Sequence, residues 1–203
     1  MLSQKQAIKQ FREIEKLQGG MRLAAEGWDA PFMTLVATIL SARTLDETTI
    51  RVCEILFKKY PTAALLGQAS EKDVSEIIRP INFYKNKTRY IIACARALDK
   101  TYGGKVPCNF ETLIALPGVG SKTANVFLSE QGIDAIGIDT HVYYISRYLG
   151  WSSATKPSGV EADLKKLFPK AYWIALNPTL VKFGKRYTSR KEKNRLLATI
   201  KQI

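Results

Sequence analysis

The chain has 203 residues, and 31 Lys plus Arg against 18 Asp plus Glu leave it a net charge of +13 at pH 7. Its 46% hydrophobic and 24% charged residues are an ordinary globular composition and exclude a disordered chain, while the surplus of cations points to an anionic partner, nucleic acid foremost. Cys53, Cys94 and Cys108 form no C-x-x-C pair and His141 is the single histidine, which argues against a zinc site, an iron–sulfur cluster or a disulfide framework.

The N-terminal stretch MLSQKQAIKQFREIEKLQGG has no apolar signal core and carries Glu13 and Glu15, unlike a transit peptide. It predicts an amphipathic helix with Ile8, Phe11, Ile14 and Leu17 on one stripe. The longest apolar run, Pro31 to Leu40, is broken by Thr34 and Thr38 and falls short of the ~18–20 residues of a membrane span. The expectation is a soluble intracellular protein, cytoplasmic or nucleoid, with no membrane contact. Within that run, Phe32, Leu35, Val36, Ile39 and Leu40 follow helical spacing behind Pro31. A further helix is expected from Glu47 to Lys59, before Pro61. Another carries Tyr90, Ile91, Cys94 and Leu98 and stops at Gly103–Gly104. Ile138, Val142, Ile145 and Leu149 form one more stripe, and Tyr172 to Leu176 and Arg190 to Ile203 read as the last two helices. Alternation at period two is absent, as are repeats and linkers. The prediction is an all-α fold of some ten short helices.

The segment Leu116-Pro117-Gly118-Val119-Gly120-Ser121-Lys122-Thr123-Ala124 stands between an apolar turn and an apolar helix. Two glycines at spacing two free the backbone N–H groups at a helix start to meet a phosphate. A Walker loop requires glycine where this chain has Leu116 and Ser121, so nucleotide hydrolysis is rejected. What remains is a helix–hairpin–helix that grips a DNA backbone without reading bases.

Lys122 falls in the first turn of the following helix. The positive end of the helix dipole disfavours an ammonium there, and a neutral amine is a nucleophile that forms a Schiff base with an aldehyde-like carbon. The competing role is a cation for phosphate. Asp139 begins the Ile138–Leu149 helix, where the dipole favours the carboxylate. It can stabilise a cationic sugar or act as a base, and it equally suits a plain N-cap.

LPGVGSKTANVFL followed by IDTHVYYISRYLG resembles the helix–hairpin–helix DNA glycosylases, in the endonuclease III branch. PFMTLVATILSARTLD, INFYKNKTRYI and KFGKRYTS extend the likeness over most of the chain. The resemblance implies two α-helical lobes with a DNA-binding cleft between them. One is a six-helix barrel with the hairpin, residues 21–134; the other joins 1–20 to 135–203. It implies a monomer acting on double-stranded DNA with a damaged base or abasic site. That base, an oxidised pyrimidine foremost, is flipped out. Lys122 then attacks the sugar with help from Asp139, and β-elimination nicks the strand. Gly118, Val119, Gly120, Ser121 and Thr123 become phosphate contacts, and Asn82, Phe83 and Lys85 belong to the loop that probes the duplex. His141 faces either the base pocket or the surface.

Three departures stand out against the family pattern. No cysteine follows Cys108, and Ser189 occupies what looks like the first cluster ligand, so no iron–sulfur cluster is expected. The basic run Lys182, Lys185, Arg186, Arg190, Lys191, Lys193 and Arg195 then serves either DNA or a solvated helix face. Arg43 replaces the usual glutamine at the residue that fills the hole left by the flipped base. Phe83 is a larger wedge than the usual aliphatic residue, unless it is a core side chain. Two other functions remain open at this point: a uracil or thymine mismatch glycosylase, and a non-catalytic helix–hairpin–helix DNA-binding protein.

Overall fold

A computed structural model describes residues 2–203, which are all-helical and contain no strand. Twelve α-helices and one 3₁₀ turn are present among them, more than the ten expected, because short capped helices carry too few residues to show a stripe. No helix among them is long and apolar enough to cross a membrane. The chain divides into two compact units, Arg22–Ile133 and the pair Met1–Met21 with Asp134–Ile203. Met21 and Asp134 thus belong to the unit of the termini rather than to the barrel.

The central unit contains α2 (Pro31–Ser41), α3 (Asp46–Lys59), α4 (Ala63–Gln68), α5 (Glu71–Ile77), α6 (Tyr84–Tyr102), α7 (Phe110–Ile114) and α8 (Ser121–Glu130). Pro31 opens α2 at a first-turn position. From there Phe32, Leu35, Val36, Ile39 and Leu40 turn into a core shared with Leu56, Leu66, Val74, Ile91, Cys94, Leu98, Leu113 and Phe127. Thr62, Ser70 and Asn109 cap α4, α5 and α7 by accepting an N–H of the first turn. Tyr90 leaves the stripe expected of it: it is 48% exposed and covers Gly118 instead.

The unit of the termini contains α1 (Gln4–Leu17), α9 (Thr140–Leu149), α10 (Pro157–Leu167), a 3₁₀ turn at Lys170–Tyr172, α11 (Trp173–Arg186) and α12 (Arg190–Lys201). The buried stripe of α1 is Ala7, Gln10, Phe11 and Ile14; Phe11 and Ile14 lie where expected, while Ile8 and Leu17 are only half-buried. Gln10 is tolerated inside because its Oε1 accepts from Trp151 Nε1 at 2.7 Å and its Nε2 donates to the Lys201 carbonyl. Phe11, Trp151, Phe168 and Tyr172 pack around this pair with edge-to-face and tilted rings, each such pair adding about 0.5–1.5 kcal/mol beyond its buried area. The last helix of the unit, α12, is held to α9 through Asn194. Its side chain accepts from Tyr144 OH, and its carbonyl accepts from Tyr148 OH at 3.1 Å.

Candidate active site

Leu116 to Gly120 form a tight turn closed by the Val119 N–H donating to the Leu116 carbonyl. Gly118 has a φ of +79°, and a Cβ there would sit 2.7 Å from Cβ of Tyr90, so both conformation and space demand glycine. Gly120 differs. Its φ of −97° suits any residue, and a Cβ would meet nothing within 4 Å. As the N-cap of α8 it supplies no side-chain acceptor. The amides of Ser121, Lys122 and Thr123 therefore face outward without the intrahelical partners that later residues have. Ser121 and Lys122 are exposed, Thr123 and Val119 buried. The first two offer their side chains to a ligand, while the second two shape the turn. Lys122 makes no hydrogen bond or ion pair among the described residues, a free amine beside an open set of amides.

Asp139 caps α9. Its Oδ1 alone accepts both first-turn amides, His141 N at 2.9 Å and Val142 N at 2.8 Å. Its Oδ2 has no partner among the described residues. The N-cap and the reactive-carboxylate readings are therefore compatible: one oxygen fixes the group and the other is left for chemistry. His141 is half-buried and packs against Gly184 of α11, where a Cβ would fall 2.2 Å from its Nδ1. Its ring is a packing element of the α9–α11 contact.

The turn after α2 and the loop before α6 meet. Among the described residues, Arg43 and Phe83 are the two non-glycine residues with positive φ, +58° and +61°, a conformation that costs about 1–3 kcal/mol each and collects at functional sites. The Arg43 guanidinium lies 5.3 Å from the Phe83 ring centre. Phe83 is 57% exposed, so it is not a core side chain. Asn82 joins the two segments: Nδ2 donates to the Arg43 carbonyl and its backbone N–H to Thr44 Oγ1 at 3.2 Å. Sequence reasoning named these residues separately, and no local signal reveals that they form one cluster. Lys85 is exposed and lines a shallow groove of about 280 Å³ with Lys72 and Arg89. Lys87, two residues beyond Lys85 on the same helix, points inward instead and is buried.

An iron–sulfur cluster needs thiolates where KFGKRYTS ends. Ser189 stands there and caps α12, its Oγ accepting from Glu192 N at 3.4 Å, and α12 itself holds no cysteine. The three cysteines all lie in the central unit, two of them buried. The residues of this segment do not fit a cluster. The basic run divides between two helices. Lys182, Lys185 and Arg186 are on α11, where Arg186 donates to the Leu17 carbonyl. Arg190, Lys191, Lys193 and Arg195 are on α12, with Arg190 over the Tyr144 ring.

Residues 36–170 match the family model described as the HhH-GPD superfamily base excision DNA repair protein. The endonuclease III of Thermotoga maritima is 41% identical over 158 residues, covering 77% of this chain and 74% of that protein. The endonuclease III of Synechocystis is 37% identical over 188 residues, covering 91% and 85%. A solved structure of a trapped endonuclease III–DNA covalent intermediate superposes with a TM-score of 0.85 at 33% identity, over 94% of this chain and 90% of that one. The chain belongs to the helix–hairpin–helix base-excision DNA repair superfamily, in its endonuclease III branch, and is a DNA glycosylase.

Proposed function

We propose that this glycosylase is bifunctional, removing a damaged base, an oxidised pyrimidine foremost, from duplex DNA and then nicking the strand at the abasic site. The observation that carries the reading is Lys122: an exposed amine with no partner among the described residues, in the first turn of α8, beside amides suited to a DNA phosphate. With the nucleotide flipped out, the neutral amine attacks C1′ and the glycosidic bond breaks. The base departs with its bonding electrons and takes up a proton. The Oδ2 of Asp139 stabilises the positive charge that builds on the sugar. Ring opening leaves an imine between Lys122 and C1′. Loss of the C2′ proton expels the 3′ phosphate, and water releases the amine.

In this reading Gly118 to Thr123 hold a backbone phosphate while Arg43 and Phe83 enter the stack. The protein works as a monomer, and α12 closes its unit without an iron–sulfur cluster. Borohydride reduction in the presence of an abasic duplex tests the assignment. The expected result is a covalent protein–DNA adduct with the wild type and none with Lys122→Ala. An adduct that survives Lys122→Ala overturns the nucleophile. Absence of any adduct, together with release of uracil or mismatched thymine, assigns the monofunctional mismatch activity instead. A base-release panel of thymine glycol, uracil, a G·T mismatch and 8-oxoguanine fixes the substrate, thymine glycol being the one expected.

A further inference from the structure

Lys87 lies in the first turn of α6 and is 6% exposed, and no step above uses it. Its side chain leaves α6 for the far end of α2. Nζ donates to the carbonyl of Leu40 at 2.8 Å and to that of Ala42, and approaches Thr44 Oγ1 at 3.4 Å. The last carbonyls of a helix lack intrahelical donors and are satisfied by caps, water or a nearby cation. Here the cation comes from 45 and 47 residues away in sequence. Its acceptors bracket Arg43, since Ala42 and Thr44 are that residue's neighbours.

The same lysine begins four residues after Phe83, and its own N–H donates to the Phe83 carbonyl at 3.1 Å. It therefore grips both segments of the Arg43–Phe83 cluster. The cluster has little apolar cover, because Arg43 is exposed and Phe83 mostly so. Packing cannot hold two left-handed backbones in place there, so polar links must. Charge-assisted hydrogen bonds shielded from water are the stronger kind.

We infer that Lys87 is a positioning residue: by tying the turn after α2 to the start of α6, it holds Arg43 and Phe83 as one preformed probe of the base stack. The inference rests on the proposed entry of those two residues into the duplex. A wedge that relaxed onto the protein surface would lose its force at the moment of unstacking. Preorganisation by a buried clamp removes that loss.

Two measurements on the full chain test it. In hydrogen–deuterium exchange, Lys87→Met is expected to speed exchange about tenfold in residues 42–45 and 81–84, with the middles of α2 and α6 still protected. Thr44→Val, which removes a half-buried hydroxyl accepting from both Lys87 Nζ and the Asn82 N–H, is expected to act in the same direction. It keeps the test open should Lys87→Met fold poorly. In activity, Lys87→Met is expected to lower base release from a damaged duplex about tenfold while nicking of abasic single-stranded DNA, which needs no unstacking, stays within about twofold. It should add little to Phe83→Ala, since both act through the same probe. Unchanged exchange overturns the clamp, and equal losses on single-stranded and duplex DNA overturn positioning in favour of general destabilisation. If Phe83→Ala itself leaves duplex base release intact, the probe reading fails, and the exchange result alone decides whether Lys87 holds the turn.

Discussion

Asp139 spends one oxygen on the amides of His141 and Val142 and keeps the other, which makes asparagine and alanine unequal replacements. Asparagine is as good an N-cap as aspartate, so Asp139→Asn should leave the thermal midpoint near that of the wild type while base release falls by about 10²-fold or more. Asp139→Ala should lose both activity and about 1 kcal/mol of stability. A fully active Asp139→Asn enzyme would reduce the carboxylate to a cap. Lys87 gives a second readout. Burial holds its ammonium down to about 8, against 10.5 for an exposed lysine. Between those values the unfolded chain binds a proton that the folded chain has released. The cost of the buried charge is thus fully present below pH 8 and is lifted as pH rises to 10.5, so this group makes stability increase with pH across that window. Denaturant unfolding of wild type and Lys87→Met should diverge accordingly, the wild type gaining on the variant from pH 8 to 10.5. A constant difference contradicts the assignment. The helix-start positions of Lys122 and Asp139 were legible in the sequence because each is marked by its own neighbours. Lys87 was not legible, because its three acceptors lie more than 40 residues away and a lysine in a charged helix looks solvated.

The hairpin shows how an element assigns different duties to similar residues. Gly118 is required by the fold, through its positive φ and the Tyr90 side chain above it; Gly120 has open space where a Cβ would go. Gly118→Ala should therefore destabilise the chain by roughly 2–4 kcal/mol, the sum of left-handed strain and overpacking. Gly120→Ala should stay within about 1 kcal/mol of the wild type in stability. Its added methyl group stands where a phosphate approaches the α8 amides, and the expected outcome is duplex binding about tenfold weaker with the fold intact. Chemical denaturation and a fluorescence-anisotropy titration separate the two variants, and normal duplex binding by Gly120→Ala would remove the phosphate from this turn. The same division explains what periodicity captured. The stripes of α2 and α9 were visible because apolar residues make up most of each buried face, with Thr34, Thr38 and Ser146 the polar members. In α1 the true stripe includes Gln10, which reads as polar until Trp151 and Lys201 are seen beside it. Helix α11 was expected to end at Leu176, yet it runs through Pro178 to Arg186. Pro178 stands inside the helix, where it removes one intrahelical bond and crowds the carbonyl four residues back; Asn177 next to it anchors this part of the helix by donating to the Gly137 carbonyl at 2.6 Å.

Charge is the property that only the whole molecule displays. The unit of the termini has 17 basic and 7 acidic residues, a net +10, while the central unit has 14 and 11, a net +3. Lys122 and the hairpin thus belong to the nearly neutral unit, and most of the positive charge available to a phosphate backbone is on the other. Within that second unit, Arg190 and Lys191 occupy the first turn of α12 and are exposed, with Arg195 one turn further on. None of the three forms an ion pair among the described residues. Two cations at the positive end of a helix work against its dipole by roughly 0.3–1 kcal/mol each; Arg190 is offset by the Tyr144 ring beneath it, whereas Lys191 has no such ring and is poorly placed for folding. Affinity for undamaged duplex should fall steeply with salt, roughly a thousandfold between about 50 and 200 mM if some six phosphates are neutralised. Arg190→Gln, Lys191→Gln and Arg195→Gln should each lower the slope of log affinity against log salt by about 0.9. Lys191→Gln should leave stability unchanged or slightly higher, because it relieves the dipole, while Arg190→Gln also gives up the Tyr144 ring and should be neutral to slightly destabilising. Lys122→Ala, by contrast, should abolish covalent trapping while changing that slope by no more than about one phosphate contact. If the α12 variants bind with the wild-type slope, the surplus on this unit meets some other anion, and the hairpin alone carries the duplex.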